Sequence, residues 1–368
     1  MPNIGKIVWE LLPSPGNSRN SEGAFYTLDN GDILFVYSKF IGEGGRDDAY
    51  SAIARRVSGD NGETWSDETI LFKTEEHDTE KENAKNIMSV SFLPMQNGDI
   101  GLFYLVRMGW HDTRLHLRRS SDGGRTWGEA AACIPAPGYF VTNNDRVVRH
   151  SSGRILVPAN LHRMKIFDNI GHAAIDGRGI PCVFYSDDDG FSWAESQTYS
   201  VPYLPASVCY MQESGIIEKQ NSSLYMWMRT DVGCQYESCS TDEGLTWTLP
   251  SPSRFTSPDS PLSMKRIPGS GKLLAVWNPI PNYNGRDFIY RYGGRTPLVC
   301  AVSADDGRTW GDLKTIEDDP DAGYCYTAIH FTRDGHVLLC YCSGGLKDDL
   351  RSCLHKLTIR KIPLIVLD

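Results

Sequence analysis

Ser58-Gly59-Asp60-Asn61-Gly62-Glu63-Thr64-Trp65 decides the reading of this 368-residue chain, because its pattern, Ser-x-Asp-x-Gly-x-Thr/Ser-Trp, returns four more times. The other copies run from Ser120 to Trp127, Ser186 to Trp193, Ser240 to Trp247 and Ser303 to Trp310. Their aspartates, Asp60, Asp122, Asp188, Asp242 and Asp305, stand 62, 66, 54 and 63 residues apart, a period suited to one small antiparallel sheet per repeat. Within each copy the Asp carboxylate is placed to accept from backbone amides of a tight turn, and the Gly supplies the positive φ the turn needs. The Trp is placed to pack into the apolar seam between neighbouring sheets. These aspartates read as structural. Asp187, Asp188 and Asp189 ahead of Gly190 look superficially like a calcium loop, but the glutamate that ends an EF-hand loop is missing.

A second repeat lies in hairpin turns: Asn30-Gly31-Asp32, Asn97-Gly98-Asp99, Ser152-Gly153-Arg154, Asn221-Ser222-Ser223, Ser270-Gly271-Lys272 and Asp334-Gly335-His336. In the first unit, residues 24–28, 33–38, 50–57 and 69–72 read as four strands from the axis outward. Six hairpins but five Trp turns leave the last unit without an outer strand after residues 352–359. The β-competent run Lys6 to Leu12 belongs to no other unit and is assigned there, which removes an exposed edge. The expected fold is all-β, a six-bladed β-propeller closed by the N-terminal strand, with residues 1–368 as a single domain.

A net charge of -9 excludes nucleic acid as the expected partner, since that needs a clustered basic field, while leaving room for a small anionic ligand at a local arginine cluster. The N-terminus has no cationic stretch followed by an apolar run, and no 18-residue apolar segment occurs. The expectation is a soluble, unexported, cytoplasmic chain without a membrane partner. The ten cysteines show no framework spacing and read as small buried hydrophobes, with no metal site. His162 and His172 read as surface residues. No cofactor is implied.

In a ring of sheets the innermost strands converge on one pocket. Their starts fall near Glu22, Asn86, Asn144 and Asp145, Glu213, Asp259 and Ser260, and Tyr326, an unusually polar set beside apolar strands.

Here the chain resembles the sialidase (neuraminidase) superfamily, whose members carry BNR or Asp-box repeats, and the resemblance covers essentially its whole length. Gln212-Glu213-Ser214-Gly215-Ile216-Ile217-Glu218 is similar to the family's Asn-Glu-x-x-Val-Val-Glu segment, with Met228-Arg229-Thr230 following at the family's spacing. Arg295-Thr296-Pro297-Leu298 resembles the arginine that opens the strand before a later box, and Tyr326-Thr327-Ala328-Ile329 resembles the segment that carries the nucleophile. The resemblance implies a Tyr326 nucleophile activated by Glu213, with Arg229 and Arg295 gripping a substrate carboxylate. A phenol suits an anomeric carbon that bears a carboxylate, because it approaches uncharged where an Asp or Glu would be repelled. Tyr324 is the fallback, expected on the same side. The acid/base is implied in the loop Gly42 to Asp48, as Asp48 ahead of Asp47, with Glu43 third. Asn143, Asn144, Asp145 and Arg146 are expected to touch ligand hydroxyls, with Asp145 and Arg146 as a structural pair the alternative.

The chain departs from the pattern at one point. Where the family has the first arginine of its triad, this sequence reads Asn20-Ser21-Glu22-Gly23-Ala24. Glu22 would repel a carboxylate unless Arg19, Arg46 or another group neutralised it. Either two arginines and a substitute hold the carboxylate, or the substrate is another anionic sugar. The expected activity is exo-glycosidase hydrolysis of a terminal sialic acid or related acidic sugar with retention; the alternatives are a glycan-cleaving enzyme for a different anionic sugar and a non-catalytic glycan-binding propeller.

Overall fold

Asn30-Gly31-Asp32 reverses the chain because Gly31 takes φ 95°, its amide donates to the Leu28 carbonyl at 2.9 Å, and the Asp32 amide donates to the Asn30 side chain at 3.1 Å. The flanking strands Asn17–Thr27 and Ile33–Ile41 pair antiparallel and continue into Ser51–Ser58 and Thr69–Lys73, a four-stranded sheet in sequence order. A computed structural model of the chain describes residues 3–74, 86–165, 174–199, 201, 203–280, 291–350 and 352–367. Over these residues the fold is all-β, with a few 3-10 turns.

Two more sheets repeat the arrangement: Gln212–Glu218, Leu224–Arg229, Cys234–Ser240 and Ser251–Thr256, then Ser263–Arg266, Leu273–Trp277, Leu298–Ser303 and Lys314–Glu317. The sheet of Ala322–Phe331, His336–Gly345 and Lys356–Pro363 takes Lys6–Leu11 as its fourth strand, antiparallel to Lys356–Pro363. Where two separate sheets are expected between residues 86 and 195, one nine-stranded sheet appears. Its short strand Tyr139–Val141 pairs antiparallel with Ile155–Met164 and meets Asp112–Ser120 in parallel at Tyr139 and Thr113, which joins the two units.

Each repeated turn closes on itself. Ser58 Oγ donates to Asp60 Oδ1 at 2.8 Å and accepts from Gly62 N at 2.8 Å, while Thr64 donates to Asp60 through its amide at 2.9 Å and its hydroxyl at 2.5 Å. Hydroxyl bonds from Ser192 and Thr309 head the influences that hold Asp188 and Asp305 down to about 2. The tryptophans that follow pack across to the preceding unit: Trp65 lies in the core shared with Leu338 and Cys340, and Trp127 in that shared with Leu34 and Val36. Asp187 and Asp189 are committed to arginines, Arg154 for the first and Arg119 and Arg149 for the second. All ten cysteines are free thiols, most of them buried.

First strands of neighbouring units touch side by side. Asn17–Thr27 packs on Asn86–Pro94 and on Ala322–Phe331, and Ser263–Arg266 packs on Gln212–Glu218 and on Ala322–Phe331. Cores lie between the sheets. No helix among the described residues is long and apolar enough to cross a membrane.

Candidate active site

Four of these first strands break register in the same way. Between Ser21 and Ala24, Met88 and Ser91, Gln212 and Gly215, and Cys325 and Ala328, two residues stand opposite one on the partner strand. The first residue of each bulge is not glycine, yet it takes a left-handed backbone: Glu22 (φ 53°), Ser89 (57°), Glu213 (51°) and Tyr326 (57°). Such a conformation costs about 1–3 kcal/mol per residue and is tolerated where the surroundings fix it. The bulges re-aim these side chains, and all four line one cavity of about 840 Å³.

On one wall Tyr326 donates its phenol to Glu213 Oε1 at 2.8 Å, and Arg229 Nη1 donates to the same oxygen at 2.5 Å. Arg229 Nη1 also reaches the Tyr326 oxygen at 3.4 Å, and its Nε donates to Asp259 Oδ1 at 2.5 Å. Arg295 lies 5.4 Å over the Tyr326 ring, anchored to the Asp259 carbonyl and to Cys325 Sγ at 3.1 Å. Burial, then the Glu213 charge, pushes the Tyr326 phenol well above its ordinary value against the pull of both arginines. Glu213 Oε2 is buried and has no hydrogen-bond partner among the described residues.

Glu22 occupies the adjoining bulge. Its Oε1 accepts from Arg19 Nη2 at 3.0 Å and its Oε2 from Ser89 Oγ. Burial raises the Glu22 carboxyl to about 7 although Arg19 pulls the other way. Arg19 is only 1% exposed, lies outside the cavity lining, and donates from Nη1 to Asp47 Oδ1 at 2.5 Å. The neutralising group is therefore Arg19, which couples Glu22 to the loop aspartate. Arg46 pairs instead with Asp48 at 3.4 Å.

Asp47 lines the cavity and Asp48 does not, which reverses the expected order of the two. Tyr324 does not share the face of Tyr326, because the bulge between Cys325 and Ala328 breaks the strand's alternation; Tyr324 packs against Tyr341 in the core. Asn144, Asp145 and Arg146, expected against ligand hydroxyls, also lie outside the lining. Asn144 Nδ2 donates to the carbonyls of Gly23 and Tyr326 at 2.9 and 3.3 Å, tying two bulges together. Asp145 accepts from Lys265 Nζ and Ile329 N, and Arg146 donates to the Leu262 carbonyl at 2.8 Å. The hydrogen bonds they make run between sheets, although Asn144 Oδ1 and Arg146 Nε have no partner among the described residues.

The lining also holds groups that the motif comparison misses. Arg107, Tyr139, His162, Asp176 and Arg178 all line the cavity. His162 is buried against the Tyr139 ring rather than on the surface, and burial lowers its pKa; His172 lies outside the described residues. The signal that could have found Arg107 is a lone cation ending the apolar run Ile100 to Val106. No group of three or more His, Cys, Asp or Glu side chains converges to hold a metal ion among the described residues.

A sequence profile for the BNR repeat-like domain matches residues 18–339. The anhydrosialidase of Macrobdella decora is 26% identical over 247 residues, which cover 62% of this chain and 29% of that protein, so the chain spans under a third of the curated relative it matches. The leech intramolecular trans-sialidase complexed with 2,7-anhydro-Neu5Ac superposes with a TM-score of 0.71 at 15% identity, covering 100% of this chain and 71% of the other. The intramolecular trans-sialidase from Ruminococcus gnavus in complex with oseltamivir carboxylate gives 0.70 at 15% identity, with 99% and 98% covered.

Proposed function

The chain belongs to the BNR repeat-like domain family within the sialidase superfamily, and from that premise we propose that it is a retaining exo-glycosidase that removes a terminal sialic acid or related acidic sugar through Tyr326. The scaffold in this reading is one six-bladed propeller spanning residues 1–368, its boxes at the repeated turns. Four sheets supply one blade each and the nine-stranded sheet supplies two. The lateral contacts of the first strands support this arrangement.

One observation carries the reading: a buried phenol hydrogen-bonded to a carboxylate at 2.8 Å, with Arg229 and Arg295 beside it in the same cavity. In the first step Glu213 takes the phenol proton as Tyr326 Oη bonds to the anomeric carbon. The glycosidic C–O bond breaks, and Asp47 gives its proton to the departing oxygen. In the second step Asp47 takes a proton from water, the water oxygen bonds to the anomeric carbon, and the tyrosine leaves with the proton returned from Glu213. Two displacements give retention. The elevated phenol pKa means the nucleophile rests neutral and does not repel the substrate carboxylate, which Arg295 and Arg229 face.

Glu22 does not preclude an acidic sugar here. Arg19 compensates its charge, and a carboxyl raised to about 7 is substantially protonated near neutrality, so it is able to donate to a ligand oxygen. The test is turnover of a fluorogenic N-acetylneuraminide, with the anomeric configuration of the first product followed by proton NMR. Release of the α-anomer by wild type and its loss in Tyr326→Phe support the proposal. No turnover of any acidic glycoside would sink it.

A further inference from the structure

Four arginines line the cavity, and they differ in what neutralises them. Arg178 Nη2 pairs with Asp176 at 2.6 Å, and Arg229 pairs with Glu213 and Asp259. Arg295 and Arg107 have no carboxylate partner among the described residues. Arg295 faces the sugar carboxylate in the proposed reaction. Arg107 has no assignment.

Arg107 is 4% exposed, with its guanidinium carbon 5.3 and 5.4 Å from the ring centroids of Trp110 and Tyr139, which stack on each other. Its Nη2 donates to the Tyr139 hydroxyl at 2.9 Å, whereas Nε and Nη1 are buried without hydrogen-bond partners among the described residues. Tyr139, Val141 and Asn143 all line the cavity, as alternation along an extended segment requires. Asn143 is 3% exposed, and its Nδ2 also has no partner among the described residues. A buried guanidinium without a counter-charge is costly, and so is each buried donor left unmet. Met88, Leu105 and Val141 lower the local dielectric, which strengthens any interaction with an incoming negative charge.

We infer that Arg107 and Asn143 form a second anion-binding pole of this cavity, and that its natural ligand carries a sulfate ester or second carboxylate besides the carboxylate that faces Arg295. The inference rests on the acidic-sugar reading for the identity of the ligand, though not for the existence of the pole. A doubly charged ligand matches both cavity arginines that lack an acid of their own. An uncharged acyl oxygen would satisfy the donors and leave the charge of Arg107 unmet.

Calorimetry separates these cases. The probes are N-acetylneuraminic acid, its monosulfate esters, a dicarboxylate analogue oxidised at the glycerol side chain, and inorganic sulfate. At least one doubly charged sugar is expected to bind about tenfold or more tighter than the parent acid. That preference should fall to within about twofold in Arg107→Met, which keeps the length and apolar packing of the side chain, and should shrink in Asn143→Ala. A gain confined to the sulfate esters, or to the dicarboxylate, identifies the second group. If no doubly charged sugar is preferred, or if the preference survives in folded Arg107→Met, the pole does not exist as described. Should no sialic acid bind at all, sialic acid as the ligand fails separately. Inorganic sulfate then decides the pole: two sites in wild type and one in Arg107→Met uphold it, and equal numbers overturn it.

Discussion

Tyr326 and Glu213 face each other across a 2.8 Å hydrogen bond, and each is the left-handed first residue of a bulge in its own strand. The two strands belong to different sheets, so neither backbone alone creates the pair. A bulge residue keeps its direction because the strands on either side stay in register. Chemistry and strain therefore coincide at the same positions.

Tyr326→Phe removes the hydroxyl without emptying the ring's space, and Glu213→Gln keeps the shape while removing the base. Each is expected to lower kcat on an activated acidic glycoside at least about a hundredfold. The melting temperature should change little in Tyr326→Phe. Near-normal kcat in that variant removes the tyrosine mechanism.

The arginines beside them are expected to behave differently from one another. Arg229 is tied to two carboxylates, so Arg229→Ala leaves Glu213 and Asp259 uncompensated and should lower stability as well as binding, by about 3–5 kcal/mol. Arg295 is held by a backbone carbonyl and a thiol, so Arg295→Ala should mainly weaken acidic ligands and spare neutral sugars. Thermal melts and calorimetry on both variants give the split. Equal loss of stability in the two would contradict it.

Glu22 sets a pH dependence of known sign. Its carboxyl is raised from 4.5 to about 7 by burial, so between these values the folded protein holds a proton that the unfolded chain releases. This contribution to stability is full below pH 4.5 and is lost as pH rises towards 7. Glu22→Gln cannot titrate, so its melting temperature, relative to wild type, should climb across that window. Parallel curves for the two proteins would mean the carboxyl is not raised.

Trp127 tests the repeated turns. It is half-buried and meets Phe72 edge-on at 6.4 Å, within the core between the first two units. Full burial of such a ring gives a loss near the top of the usual range on truncation, so Trp127→Ala is expected to cost about 2–3 kcal/mol. Denaturant unfolding measures it, and kcat/KM of the folded protein should hold.

Most of the scaffold was legible because repetition amplifies a weak local signal. One Ser-x-Asp-x-Gly turn means little, whereas five at one period fix where each sheet ends, and Lys6 to Leu11 then had a single unfilled place to go. The merging of two units into a nine-stranded sheet was not legible, since it depends on three residues, Tyr139 to Val141, meeting two strands at once. The wall of Tyr326, Glu213, Arg229 and Arg295 was found from motif spacing. Tyr324 was misplaced because a bulge reverses alternation, and nothing in Gly323-Tyr324-Cys325-Tyr326 announces one. Asn144, Asp145 and Arg146 look like ligand contacts in sequence because polarity beside apolar strands does not say whether the partner is a sugar or a neighbouring backbone. Of the run Asn143 to Arg146, Asn143 alone lines the cavity, and Arg107 matched no motif.

Asp47 and Asp48 are adjacent in sequence and separate in structure, one lining the cavity with Arg19 on its carboxylate, the other turned to Arg46. If Asp47 protonates the departing oxygen, its removal should matter most where the leaving group needs a proton. Asp47→Asn is expected to lower kcat/KM by about a hundredfold or more on a natural glycoside with an alkoxide leaving group, and by far less on an aryl glycoside whose phenol departs unaided. Asp48→Asn should show a smaller loss with no such dependence on the leaving group. The comparison needs the two variants and the two substrates at one pH. A leaving-group dependence that appears in Asp48→Asn and not in Asp47→Asn would return the role to Asp48, and would mean that the loop from Gly42 to Asp48 rearranges when ligand binds.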